Sequence, residues 1–271
     1  MPELPEVETT RRGIAPHVDG RRIDDVVVRE HRLRWHLPRG FRGQLVGARI
    51  ERTARRAKYL LLHTDRGTLI IHLGMSGSLR VVDPSTPLLP HDHVDLLLDS
   101  GRALRFNDPR RFGSLHFTTG DALAHPLLAG LGPEPLAAGF DGDHLWRRAR
   151  GRRVAIKLFV MNAAVVVGVG NIYASEALFR AGIRPTLAAG RVSRERMRQL
   201  AQSIRDVLTE AIRVGGTTLR DYVGADGMPG YFRQRLFVYE RAGQPCRRCH
   251  TPVRQITQGQ RSTYFCPTCQ K

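Results

Sequence analysis

"KYLLLHTDRGTLIIHL", residues 58–73, holds two apolar runs of strand length parted by Asp65 and Gly67. Each run is too short for an ordinary helix, and the break carries turn residues. The same texture extends in both directions. "RIDDVVV" (22–28), "LVGARIERT" (45–53), "HVDLLL" (93–98), "RALRF" (102–106) and "FGSLHF" (112–117) are further strand-length runs between glycine, proline and aspartate. So many short strands in about a hundred residues predict a β-sandwich or barrel.

Near "LGPEPLAAGFDGDHLW" (131–146) the pattern changes. The segments 141–151, 171–183 and 193–216 read as helices. The third repeats Met197, Leu200, Ile204, Val207, Leu208, Ala211 and Ile212 at helical spacing and stops at Gly215-Gly216. The expected order is a β domain, a helical domain and a small cysteine module.

That module, "CRRCHTPVRQITQGQRSTYFCPTC", pairs Cys246 and Cys249 with Cys266 and Cys269 across sixteen residues. Two CxxC turns supply four thiolates to one tetrahedral ion, so one structural zinc is expected, with no position left open for catalysis. The stretch between the pairs reads as a β-hairpin turning near Gln258-Gly259, which projects Arg261 from a metal-pinned support.

Composition narrows the partner. In 271 residues the formal charge is +18, and the basic side chains comprise 40 arginines and only three lysines, Lys58, Lys157 and Lys271. Such a balance points to a polyanion. Where arginine serves for nearly every cation, each lysine hints at a task arginine cannot do. The most apolar run, "AAVVVGVG", is eight residues long, far below a membrane span. No signal peptide is visible, and a soluble intracellular protein is expected.

The amino terminus, "MPELPEVETT", crowds prolines and carboxylates where chains usually fray. It reads as helix-start chemistry with Leu4, Val7 and Ile14 as the buried stripe.

Together these motifs resemble the bacterial formamidopyrimidine-DNA glycosylases nearly end to end. The resemblance is carried by "PELPEVET", "RRAKYLL", "IIHLGMSGSLR", "HDHVDL", "NDPRRFG", "LGPEPL", "VGVGNIYASEALF", "GGTTLRDY", "DGMPGYF" and the cysteine module. It implies an α+β multidomain protein: an N-terminal β-sandwich (1–130), a helix-two-turn-helix domain with a base-recognition loop (131–235) and a C-terminal zinc-finger β-hairpin (236–271). It further implies a monomer that acts on damaged double-stranded DNA, cytoplasmic and nucleoid-associated when bound.

The resemblance also implies site residues. Pro2, freed by removal of Met1, becomes a secondary-amine nucleophile that forms a Schiff base at the sugar C1′. An α-amino group titrates near 7.7–8.0, against about 10.4 for lysine, so far more of it is unprotonated at neutral pH. Glu3 becomes the acid/base carboxylate, with Glu6 nearby. Lys58 contacts phosphate and serves β-elimination, while Arg261 holds phosphate and assists δ-elimination. Met75, Arg111 and Phe112 fill the void left by the extruded base, with Phe112 as wedge and Arg111 bonded to the orphaned cytosine. His72, His91, Arg110, Arg152 and Asn171 meet the DNA backbone, Asn171 adding a side-chain amide to a helix start. A loop over Thr217–Tyr231 covers the base. This chain departs from relatives in the alanines of "VMNAAVVVG" and in Arg152, where some carry lysine. The alternatives are an endonuclease VIII-like enzyme for oxidised pyrimidines and a catalytically silent DNA binder.

Overall fold

The computed structural model describes residues 2–215 and 236–271. The chain divides into two compact bodies, one reaching residue 129 and the other combining residues 130–213 with the carboxy-terminal segment.

The first body opens with helix α1 (Leu4–Val18), whose stripe of Leu4, Val7, Ile14 and Val18 is fully buried. Two four-stranded antiparallel sheets follow. One runs in the order β1 (Ile23–Val28), β6 (Asp92–Leu98), β7 (Ala103–Asn107), β5 (Ser78–Val82); the other runs β2 (Ile50–Arg56), β3 (Tyr59–Thr64), β4 (Gly67–His72), β8 (Ser114–Thr118). Short helices α2 (Phe41–Leu45) and α3 (Pro126–Ala129) flank them. The opening stretch is the β3–β4 hairpin, in register Leu60 to Ile71 and Leu62 to Leu69. Alternation sends those four side chains into the same core as Val26, Val94, Leu104 and Phe106 of the other sheet and Val7 and Ile14 of α1. A sandwich results. The run expected as one strand from Leu45 begins as a strand only at Ile50, because Leu45 closes α2 and Gly47 turns the chain at φ +81°.

The other face of the first sheet holds a buried charge cluster. Arg105, 1% exposed, grips Asp95 through two bonds of 2.9 Å, while Arg29 reaches Asp95 and Arg80 reaches Asp92 at 2.7 Å. Opposite charges in register neutralise groups that could not be buried alone.

In the second body, α4 (Gly142–Ala149) is capped by Asp141, followed by α5 (Ile156–Val160), α6 (Asn171–Arg180) and the long α7 (Arg194–Arg213). The apolar stripe of α7 packs its predicted residues inward, Ile212 only partly. Strands β9 (Arg254–Gln258) and β10 (Arg261–Phe265) form the hairpin; its two-residue turn, Gly259-Gln260, has φ of +53° and +60°, the type I′ geometry suited to strand twist. Phe179 of α6, Val238, Val253 and two cysteines share one small core.

Candidate active site and zinc centre

At the amino terminus, Pro2 and Glu3 are buried. Glu3 caps α1: its carboxylate accepts the Glu6 N–H, and the fully buried Glu6 carboxylate accepts the Glu3 N–H at 2.8 Å. This reciprocal box ties down a segment that would otherwise fray. Glu6 therefore acts on the terminus through its backbone. Helix α1 also reaches β2 through Glu8, bonded by Arg55 at 3.3 Å, and Arg55 donates to the Ala57 carbonyl at 2.8 Å. Ala57, at φ +55°, and Lys58 form the two-residue connection between β2 and β3. The half-buried Lys58 is thus set by a turn tethered to the terminal helix.

His72 ends β4, paired with Tyr59, with ring centroids 4.8 Å apart. Its Nδ1 accepts the Gly74 N–H at 3.0 Å, leaving the proton on Nε2. Burial, then the charges of Lys58, Arg34 and His116, push its pKa down to about 4. A neutral imidazole that can donate from Nε2 stands beside Lys58.

The loops 73–77 and 108–113 meet backbone to backbone. A Cβ on Gly74, which has φ +67°, would lie 2.4 Å from the Gly113 nitrogen, so only glycine fits. The buried Asp108 organises this junction, accepting Ser76 Oγ at 2.8 Å and the Gly113 N–H at 2.7 Å. Its carbonyl accepts His93 Nε2 at 2.9 Å, and its N–H donates to the His91 carbonyl at 3.1 Å. The exposed His91 is thereby fixed to the same junction, at φ +73°. What projects from it is apolar and basic: Met75 is 37% and Phe112 43% exposed, with Arg110 stacked on Phe112 at 4.8 Å. Arg111 takes a left-handed φ of +55° and pairs with Glu30 at 3.2 Å. A non-glycine residue held in that region stores strain, which favours a functional origin. The sequence pattern marks these loops, but not Asp108 as their keystone.

In the second body, Asn171 opens α6, and its side chain is engaged within the protein. Its Oδ1 accepts Lys157 Nζ at 2.6 Å and its Nδ2 donates to the Ser262 carbonyl at 3.0 Å. Lys157, fully buried, also donates to the Ser262 carbonyl at 3.0 Å and Thr263 Oγ1 at 2.7 Å. The pair thus clamps β10, where the exposed Arg261 sits beside the hairpin turn. Among the described residues no carboxylate pairs with Arg261. Arg152 is exposed just beyond α4. The scarcity of lysine singles out Lys157; nothing in the sequence singles out Glu176. Buried in α6, Glu176 accepts the N–H groups of Phe237, Val238 and Tyr239, each at 2.9 Å, and so anchors the entry to the cysteine module. The loop expected over Thr217–Tyr231 lies outside the described residues.

The four cysteine sulfurs lie within 4.8 Å of one another. Cys246 and Cys269 are 3.9 Å apart, Cys249 and Cys266 3.4 Å, close to the roughly 3.8 Å edge of a tetrahedron with 2.3 Å zinc–sulfur bonds. Backbone N–H groups of Arg248 and Cys269 point at Cys246 and Cys266 sulfurs at 3.4 Å. Burial and the neighbouring sulfurs push Cys269 up to about 12, while hydrogen bonds from Thr251 lower Cys249 to about 6; a cation among the sulfurs favours the thiolate form of all four. The donor set fits one structural zinc.

A basic, partly strained face on the sandwich, and a cysteine-pinned hairpin bearing an exposed arginine, suit a protein that works on nucleic acid. Comparison with known proteins gives the family. Three family models match in succession: the formamidopyrimidine-DNA glycosylase N-terminal domain over residues 1–115, its H2TH domain over 131–223, and a zinc finger found in FPG and IleRS over 243–271. A formamidopyrimidine-DNA glycosylase of Thioalkalivibrio sulfidiphilus is 63% identical and one of Stutzerimonas stutzeri 59%, each over the full length of both chains. Among solved structures, Thermus thermophilus MutM (Fpg) superposes with a TM-score of 0.89 at 41% identity, covering 99% of this chain and 98% of that one. Lactococcus lactis Fpg with DNA containing N7-benzyl-Fapy-dG superposes at 0.92 with 32% identity over all of both chains. The chain belongs to the formamidopyrimidine-DNA glycosylase family. It is a zinc-bearing DNA glycosylase of base excision repair, directed at oxidised purines. Among the described residues no helix is long and apolar enough to cross a membrane.

Proposed function

We propose that the enzyme is bifunctional, removing 8-oxoguanine and formamidopyrimidine lesions from duplex DNA and then cutting the strand. With Met1 removed, the Pro2 nitrogen bonds to the sugar C1′ as the damaged base leaves with its electron pair. Glu3 donates a proton to the ring oxygen as the ring opens to an iminium. Loss of the 3′ and then the 5′ phosphate by β- and δ-elimination follows, with Lys58 and Arg261 on the phosphates. His72, His91, Arg110, Arg152 and Asn171 hold the backbone, and Met75, Arg111 and Phe112 occupy the emptied stack. The engaged side chain of Asn171 makes its contribution a phosphate-facing helix start braced by Lys157. The reading extends to a monomer acting on chromosomal DNA in the cytoplasm.

The observation that supports this reading best is the buried Glu3–Glu6 box, which fixes a terminus that no packing requirement alone would bury with two carboxylates. Incubation of the mature protein with a lesion duplex and borohydride tests it. A covalent protein–DNA adduct whose mass places the sugar on Pro2 is expected. Strand cleavage by a chain that retains Met1, at the rate of the processed enzyme, would overturn the reading.

A further inference from the structure

One basic residue beside the site is assigned no task above. Arg34 sits at the tip of a closed loop over residues 31–37, which is pinned from below by the buried Leu33 and Leu37 and shut by the Leu37 N–H bonded to the His31 carbonyl at 3.0 Å. Its guanidinium lies over the Trp35 ring, 4.7 Å from the centroid. Trp35 is 42% exposed yet held in place, its edge set against His116 with centroids 5.3 Å apart. An exposed tryptophan fixed by one neighbour and covered by one arginine is a rigid platform for that arginine, not a piece of core.

Position gives the platform its meaning. The Arg34 N–H donates to the Gly113 carbonyl at 3.1 Å, which joins this loop to the residue following the candidate wedge, Phe112. Gly113 also backs onto His72: a Cβ on it would lie 2.8 Å from the His72 carbonyl, and the next residue, Ser114, pairs with His72 across β4 and β8. Arg34 therefore stands between the Lys58–His72 cluster and the Arg111–Phe112 loop. Its charge is felt by both Tyr59 and His72.

Several nearby arginines are engaged by carboxylates. Arg29, Arg32, Arg80 and Arg111 each pair with a carboxylate. Among the described residues no carboxylate pairs with Arg34. A stacked, exposed and uncompensated guanidinium placed between two elements of a DNA site is matched chemically by a phosphodiester oxygen, which a planar fork can engage with two N–H groups.

We propose that Arg34, pre-oriented by Trp35, is a further DNA-backbone contact of this enzyme, holding a phosphate of the duplex between those held by Lys58–His72 and the region opened by Phe112. The proposal rests on the glycosylase reading of the same face. It adds a positioning residue rather than a catalytic one, since Arg34 bonds phosphate and no reacting atom.

The test is the salt dependence of duplex binding by the zinc-loaded, mature enzyme, compared with Arg34→Ala, Arg34→Lys and, as a control, Arg102→Ala in the β6–β7 turn at the far end of its sheet from Asn107. Loss of one phosphate contact should flatten the plot of log affinity against log salt by about 0.9 and weaken binding roughly eightfold at about 0.1 M salt, equally for lesion-bearing and undamaged duplexes. Arg34→Lys keeps the charge and should restore most of the slope; Arg102→Ala should match the parent. In a Trp146→Phe background, Trp35 emission should change on adding duplex. Arg34→Ala with an unchanged slope, or Trp35 emission blind to DNA, overturns the proposal. Failure of the underlying reading looks different: the parent itself would show no salt-dependent duplex binding.

Discussion

Lowering the pH from 7.5 to 5.0 should destabilise this protein, with His72 an identifiable contributor. His72 has a folded pKa of about 4 against an ordinary 6.5, because burial and then the Lys58, Arg34 and His116 charges oppose its protonation. The depressed value means that the unfolded chain takes up the proton first. The stabilisation is complete above pH 6.5 and is lost as pH falls towards 4. Its full size is about 3 kcal/mol, of which about 2 kcal/mol has gone by pH 5. His63 and His116 shift in the same direction, so the wild-type profile alone does not isolate His72. The difference between wild type and His72→Gln does. Urea unfolding followed by tryptophan emission at pH 7.5, 6.0 and 5.0 should show the wild type losing about 2 kcal/mol more than the variant across that range. Parallel profiles would refute the reasoning, and with it the assignment of a neutral, Nε2-protonated donor beside Lys58 at physiological pH.

Other outcomes follow from the same structure. Atomic absorption should find one zinc per chain, and Cys266→Ser should bring this well below one while reducing binding of duplex DNA, because Cys266 belongs to the core that seats the hairpin on α6. Phe112→Ala should slow single-turnover excision on the order of tenfold, about 1.4 kcal/mol, with thermal stability unchanged, since the ring is exposed in the free protein. Lys157→Met should take the lysine donor from Asn171 Oδ1 and Thr263 Oγ1, leave the Ser262 carbonyl to Asn171 alone, and cost about 2 kcal/mol, read as a lowered melting temperature and faster hydrogen exchange along β10.

Much of this architecture is legible in the sequence for one physical reason: apolar periodicity and turn chemistry are local. Leu60, Leu62, Leu69 and Ile71 announce a hairpin because the alternation that buries them is written in consecutive residues. The stripe of α7 and the glycine turn at Gly259 are local in the same sense. Strand β5, "SLRVV", is hidden within a motif because its central Arg80 breaks the apolar run; only its pairing with Asp92, twelve residues on, makes that arginine tolerable in place. Arg105 is unreadable for the same cause. A charged residue in a strand suggests an exposed face, and the carboxylates that reverse that expectation come from β6, with a covering carbonyl from Thr86. Asp108, likewise, draws its partners from residues 76, 91, 93, 110, 111 and 113. Site keystones escape sequence reading when their work is to gather distant backbone.

The three lysines show how far a compositional anomaly can be pressed. In a chain with 40 arginines, Lys58 and Lys157 stand out equally, yet the structure separates them by kind. Lys157 has no exposure and meets three acceptors at 2.6, 3.0 and 2.7 Å. An ammonium group has three N–H bonds to direct at these acceptors. A guanidinium is larger and brings five in one plane, a poorer match to so enclosed a cluster. Lysine at position 157 thus has a packing and hydrogen-bonding reason, with no appeal to reactivity. Lys58 lies half-buried in a tight turn beside a neutral histidine. The elimination role proposed for Lys58 calls for a compact, movable charge that can lose its proton. On that proposal the same rarity has a geometric cause in one body and a chemical one in the other. Burial is the measurement that tells them apart.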